Sequence, residues 1–106
     1  MRTRASIRPA AQADLDYYAA FIGRDSIDTA LRFLDSAETT FRFLVDHPLA
    51  GACASAIYGV PDDLRVWRIQ GFPNHLVFYR LTELEIEFVR ILHASQDIRR
   101  RWDENP

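Results

Sequence analysis

In IDTALRFLDSAETTFRFLVDHP, residues 27–48, apolar side chains return every three or four positions and the run stops at a proline. Ile27, Ala30, Leu31, Leu34, Ala37, Phe41, Leu44 and Val45 form one apolar stripe over about five turns, the pattern of an amphipathic helix with one face in a core. Asp25 or Ser26 stands where a helix cap belongs, and His47-Pro48 closes the run. Working backwards, Leu15, Tyr18, Ala19 and Ile22 repeat at helical spacing. Ala10 to about Gly23 therefore reads as an earlier helix, with Pro9 at a tolerated first-turn position and Asp14 and Asp16 opposing the positive end of its dipole. Only Gly23-Arg24-Asp25-Ser26 separates the two, so they should pack antiparallel as a hairpin. Ahead of them, Ala5-Ser6-Ile7-Arg8 reads as a short strand.

Beyond the proline the pattern changes. Leu49 to Ala56 is small and non-periodic, and Tyr58 to Asp63 is rich in turn residues, which marks an ordered connector. Three runs rich in β-branched and aromatic residues follow, Leu64–Gln70, Leu76–Leu81 and Ile86–Leu92, joined by Gly71-Phe72-Pro73-Asn74 and Thr82-Glu83-Leu84-Glu85. Such short links predict an antiparallel meander. Ser95 or Asp97 then caps a last short helix through Trp102. The fold class implied is α+β in two layers: an N-terminal strand, a helical hairpin on one face of a small antiparallel sheet, and a short C-terminal helix. The other sheet face has no predicted cover. Trp67, Phe72, Phe78 and Tyr79 exceed what two helices can bury, which leaves aromatic surface for a partner.

The chain's 106 residues fit one domain, 1–106, and its composition is that of a folded protein, 48% apolar and 26% charged. No run approaches the roughly 18 apolar residues of a membrane span, and no apolar leader opens the chain, where Met1-Arg2-Thr3-Arg4 is basic. The expected location is the cytoplasm. Lone Cys53 agrees with a reducing compartment and reads as a packed or incidental thiol. All 13 cations are arginine, against 15 carboxylates, and the two halves carry six Arg against seven acids and seven against eight. Neither half is a basic module, which disfavours a domain that tracks phosphates or reads a nucleic-acid sequence.

No cofactor motif is present, and His47, His75, His93 and Cys53 stand at no metal-ligand spacing, so neither a metal nor a cofactor is expected. Glu83, Glu85 and Glu87 alternate along one strand face, the mark of a solvated edge. Arg65 and Arg68 fall on opposite faces of one strand, with Arg80 and Arg90 on the next two. Their guanidinium groups either converge on an anion or form separate surface ion pairs; spacing alone does not choose. Arg99-Arg100-Arg101 complements the dipole of the last helix.

Several pieces in order resemble the RelE/ParE superfamily of toxin–antitoxin toxins. These are Ala13-Asp14-Leu15, Ala30-x-x-Phe33, Phe43-Leu44-x-x-x-Pro48-x-x-Gly51, Leu64-Arg65, His75 to Arg80, and Ile91-Leu92-His93 with Asp97. Within it the chain is closer to the ParE-like branch, because it lacks lysine, is mildly acidic, and has Trp102 near where the RelE branch often has a late tyrosine. By rough alignment that branch's arginines fall near His75 and Gln96, while Ser95-Gln96 replaces the basic pair usual in ParE. The resemblance implies a plasmid-stabilisation type toxin that binds DNA gyrase and traps its cleaved-DNA complex. It also implies neutralisation by a ParD-like antitoxin in a hetero-oligomer, covering Trp67, Phe72 and Tyr79 with Arg68 and Arg80. The alternative is a ribosome-dependent mRNA endonuclease using Arg65, Arg80, Arg90 and His93. A third reading is a fold that has lost toxicity and survives as an antitoxin-binding module.

Overall fold

A computed structural model describes residues 4–104. Met1, Arg2 and Thr3 of the basic opening stretch lie outside them, as do Asn105 and Pro106. The elements run β1 (Arg4–Ile7), α1 (Pro9–Gly23), α2 (Ile27–Asp46), β2 (Ala52–Cys53), α3 (Ser55–Tyr58), β3 (Leu64–Ile69), β4 (Phe72–Leu81), β5 (Glu85–His93) and α4 (Ile98–Glu104). The sheet order is β1-β5-β4-β3-β2. The expected meander β3-β4-β5 is present. β1 joins it parallel to β5, and two-residue β2 adds antiparallel to the far side of β3.

Serine 26 is the cap of α2: its hydroxyl accepts from the Thr29 N–H at 3.1 Å. The helical hairpin packs on one sheet face as expected. Its core joins Leu15 and Tyr18 of α1 and Phe33, Ala37, Phe41 and Leu44 of α2 to Ile69, Val77, Tyr79, Ile86, Phe88 and Ile91 of the sheet. Each large apolar side chain buried here contributes about 1.5–3 kcal/mol. Three members of the expected α2 stripe are not in this core. Ile27, Leu31 and Leu34 are 71%, 56% and 37% exposed. The buried arc is rotated by roughly 60° towards Phe33 and Thr40, within the 100° per residue of a helix. Thr40 earns its place through hydrogen bonds: its hydroxyl donates to Ser36 O at 2.7 Å and accepts from the Gln70 N–H at 3.0 Å. That bond ties α2 to the β3–β4 turn.

The opposite sheet face is covered, contrary to the sequence expectation. Ala54, Val60, Leu64, Val66, Leu76, Phe78, Val89 and Leu92 form a second core with Ile98 and Trp102 of α4, and Tyr58 of α3 packs against it. Phe78 and Tyr79 are fully buried. Cys53, in turn, is exposed rather than packed. β5 lies inside the sheet, so Glu87 is not on a solvated edge; it contacts Arg8 at 3.3 Å and Arg80 at 3.5 Å.

Candidate functional site

The residues proposed from sequence separate when placed on the fold. Trp67 and Phe72 are half-buried on the helix side of the sheet. Trp67 stacks on Phe43 at 5.6 Å between ring centres, and Phe43 stacks on His47 at 4.7 Å. This column stands at the C-terminal end of α2, where the backbone N–H of His47 closes the helix on Phe43 O at 2.8 Å. Phe72 meets Phe33 edge-on at 5.2 Å. Arg68 is exposed and pairs in register with Leu76, a residue of the second core, and it also lines the hollow beside Phe43 and Trp67. Tyr79 is removed from any partner surface, because its ring is buried and its hydroxyl is spent on the connector. It donates to Pro48 O at 2.8 Å and accepts from the Gly51 N–H at 2.9 Å.

The arginines do not converge. Arg65 donates to Gly51 O at 2.7 Å and holds the connector in place. Arg80 contacts Asp63 at 3.4 Å and Glu87 at 3.5 Å. Arg90 is buried, and Asp14 of α1 takes it with both carboxylate oxygens, at 2.8 and 3.0 Å. The Asp14 Oδ2 also accepts from the Ile91 N–H at 2.9 Å. Asp14 therefore lies one turn too deep to serve the helix dipole; no acidic residue occupies the first turn of α1. A β-bulge makes room for the pair: Phe78 faces Arg90 and Tyr79 faces Phe88, leaving Val89 as the extra residue.

His93 belongs to a different cluster. β4 and β5 place His75 opposite His93, with ring centres 4.9 Å apart at 89°. His75 also meets Tyr18 at 5.0 Å and Phe33 at 4.9 Å. The Tyr18 hydroxyl donates to Gln96 Oε1 at 2.9 Å, and the backbone N–H of His93 is shared between those two oxygens at 3.0 Å each. The Ser95 N–H donates to His93 Nδ1 at 3.0 Å, which leaves a neutral ring its proton on Nε2. Together with Tyr17, Phe21 and Ile22 these groups line a cleft of about 360 Å³ between α1 and the β5–α4 link. Counting register outward from the tight β4–β5 turn would set His75 opposite Leu92; the bulge at Val89 shifts the ladder by one residue and brings His93 there. Tyr18 and Gln96 join them only through long-range packing, which carries no local signal. Among the described residues no group of three or more His, Cys, Asp or Glu side chains is placed to hold a metal ion.

Burial, with a smaller contribution from His93, pushes the His75 pKa from its ordinary 6.5 to about 4. Burial likewise raises the Tyr18 hydroxyl. Between these two pH values the unfolded chain binds a proton that the folded chain refuses, so stability falls as pH drops from 6.5 towards 4. The full shift would correspond to about 3 kcal/mol. Solvent reaching the cleft reduces the expected loss to about 1–2 kcal/mol. Urea midpoints for the parent and His75→Phe across that range check this; the variant should lose less stability on acidification.

Residues 5–98 match the family model for the ParE toxin of the parDE type II toxin–antitoxin system. The chain belongs to the ParE toxin family. Among solved structures, this ParE-family chain resembles a chain of the chromosomal ParDE toxin–antitoxin system from P. aeruginosa. That match has a TM-score of 0.71 at 20% identity and covers 89% of this chain and 98% of the other. It also resembles a chain of the E. coli DinJ–YafQ toxin–antitoxin complex, with a TM-score of 0.57 at 14% identity over 88% and 93%. At such identities the likeness concerns the fold. No curated protein is a significant sequence match. Among the described residues of this ParE-family chain, no helix is long and apolar enough to cross a membrane.

Proposed function

We propose that this ParE-family toxin inhibits DNA gyrase by binding and is neutralised by a ParD-like antitoxin, both partners acting in the cytoplasm. The observation that carries the reading, beside family membership, is the placement of the arginines. A cleavage site without a metal needs charged groups aimed at one phosphate. Arg90 is instead neutralised by Asp14, Arg80 lies between Asp63 and Glu87, and Arg65 is engaged by backbone carbonyls. Trp102, near the position of the RelE branch's late tyrosine, is buried in the second core. The surface better suits recognition than turnover.

The antitoxin would cover the half-buried Trp67–Phe43 stack and Phe72, with Arg68 at the rim. Aromatic groups at the centre of an interface commonly carry most of its affinity. Trp67→Ala is expected to weaken antitoxin binding by about 2 kcal/mol, close to thirtyfold. Arg68→Glu, at an exposed position, should weaken it less and more strongly at low salt. Isothermal titration with the ParD-like partner measures both. If neither variant changes affinity, the interface belongs elsewhere, and exposed Tyr17, Phe21, Ile27 and Leu31 of the helical hairpin become its best location. The target reading is tested with purified gyrase. Supercoiling loss and cleaved complexes that disappear on adding antitoxin support it. A flat response from folded toxin, with mRNA cleavage on programmed ribosomes, would replace it with the endonuclease reading.

A further inference from the structure

The imidazole nitrogens of the His75–His93 pair are largely unspent. His75 meets only rings, those of Tyr18, Phe33, Phe72 and His93, and neither of its nitrogens has a hydrogen-bond partner among the described residues. Nor are they sealed in: the one buried side-chain polar atom left without a partner among the described residues is Arg80 Nε. His93 uses Nδ1 on Ser95 and leaves Nε2 open in the same way. Both rings line the aromatic cleft between α1 and the β5–α4 link.

The spacing of the rings is that of two ligands on a shared ion. The Ala94 N–H donates to Asn74 O at 2.7 Å, so the neighbouring pair His75–His93 is of the non-hydrogen-bonded kind, in which cross-strand side chains lie closest. An imidazole nitrogen stands about 2.1 Å from a bound zinc-like ion, with the ring centre about 1.2 Å beyond it. Two such rings at a tetrahedral angle have centres about 5 Å apart, against the 4.9 Å observed. Both rings are also held in place, His75 by its aromatic neighbours and His93 by Ser95, so little rotamer freedom is left to lose on binding.

We propose that His75 and His93 together bind one divalent late transition ion, Zn²⁺, Ni²⁺ or Cu²⁺, through one ring nitrogen each, with water completing the shell. Imidazole favours these ions. Hard Mg²⁺ and Ca²⁺ prefer carboxylate oxygens, and no carboxylate lines the cleft. Its volume of about 360 Å³ leaves room for water ligands. Two imidazoles without a carboxylate or thiolate make an open, micromolar site rather than a closed structural one. Ligation at His93 Nε2 moves the ring's proton to Nδ1. There Ser95 Oγ, 2.7 Å away, accepts it, and the N–H of exposed Ser95 turns to water. The ring stays neutral, and Ser95 becomes the outer group that orients it. The site stands whichever cellular target the toxin has.

The test is titration of the untagged full chain with zinc chloride and, separately, nickel and magnesium chlorides, read by calorimetry and by the imidazole resonances. One Zn²⁺ per chain is expected, shifting His75 and His93 while leaving His47 in place, and Mg²⁺ should shift neither. His75→Gln and His93→Gln should each weaken Zn²⁺ binding at least about tenfold. Ser95→Ala, which removes only the outer acceptor, should weaken it about tenfold, and Ser95→Thr should restore it. His93 and Ser95 lie at the end of β5 and just beyond it, so changes there keep the test open should His75→Gln not fold. Cys53→Ser should leave binding unchanged. No saturable shift of the two histidines with Zn²⁺ or Ni²⁺ would overturn the proposal. So would binding that survives both histidine changes, that Mg²⁺ reproduces, or that disappears with Cys53→Ser.

Discussion

Asp14→Ala is expected to cost about 3–5 kcal/mol, a large part of the 5–15 kcal/mol that holds a domain of this size together. The reason lies in what the substitution leaves behind. Arg90 has a side chain only 2% exposed and Asp14 one that is 12% exposed, so the pair is desolvated. Removing the carboxylate leaves a buried guanidinium without its counter-charge and also orphans the Ile91 N–H that donates to Asp14 Oδ2. Asp14→Asn should lose less, because an amide oxygen can still take the backbone bond while the charge is lost. The paired change Asp14→Leu with Arg90→Met should recover most of the loss, since well-packed apolar groups can replace a buried ion pair at little cost. Urea unfolding of the four proteins measures this. A single Asp14→Ala variant within about 1 kcal/mol of the parent would mean that water reaches Arg90 and that the pair is not the strut between α1 and β5.

Asp14 is also instructive about what could be read without coordinates. Helical spacing placed it on α1, and its position near the helix start suggested a dipole role. Its actual partner lies 76 positions away, beside a bulge that no local pattern marks. The helical hairpin and the meander were legible because both rest on periodicity and short links. Apolar Ile27, Leu31 and Leu34 turn the expected α2 stripe away from the buried arc, and the burial of Thr40 rests on a hydrogen bond to Gln70 that no spacing marks. Phe72-Pro73-Asn74 resembles a turn, yet the chain reverses at Gln70-Gly71, with Gly71 at φ 79°, and Pro73 sits in β4 without a register partner on either side. The back cover is only half legible: the helix that carries Ile98 and Trp102 has a capping signal, whereas α3 and its neighbours come from a small-residue connector with no period. The same division explains the site. Arg65, Arg80 and Arg90 have partners set by tertiary contacts, and the pairing of His75 with His93 depends on the same unmarked bulge.

Many of the pieces that carry the family resemblance are scaffold, which is why they speak more clearly about fold than about target. Pro48 and Gly51 show this, and they lead to the second large effect. A side-chain carbon added at Gly51 would fall against the Tyr79 hydroxyl, and 2.8 and 2.9 Å from ring atoms Cε1 and Cζ. Tyr79 has little room to yield: it is fully buried, and its hydroxyl is fixed by both Pro48 O and the Gly51 N–H. Gly51→Ala is therefore expected to cost about 2–4 kcal/mol, combining overpacking with loss of the hydroxyl's bonds. Tyr79→Phe alone should cost about 1–2 kcal/mol, because it leaves the glycine N–H without its partner. The double variant separates the two causes. If steric conflict with the hydroxyl dominates, adding Tyr79→Phe to Gly51→Ala should cost almost nothing or restore some stability, a clear departure from additivity. Additive losses across the cycle would instead show that the backbone of the connector relaxes away from Tyr79, and that the close approach at Gly51 is not what holds residues 48–51 against the sheet.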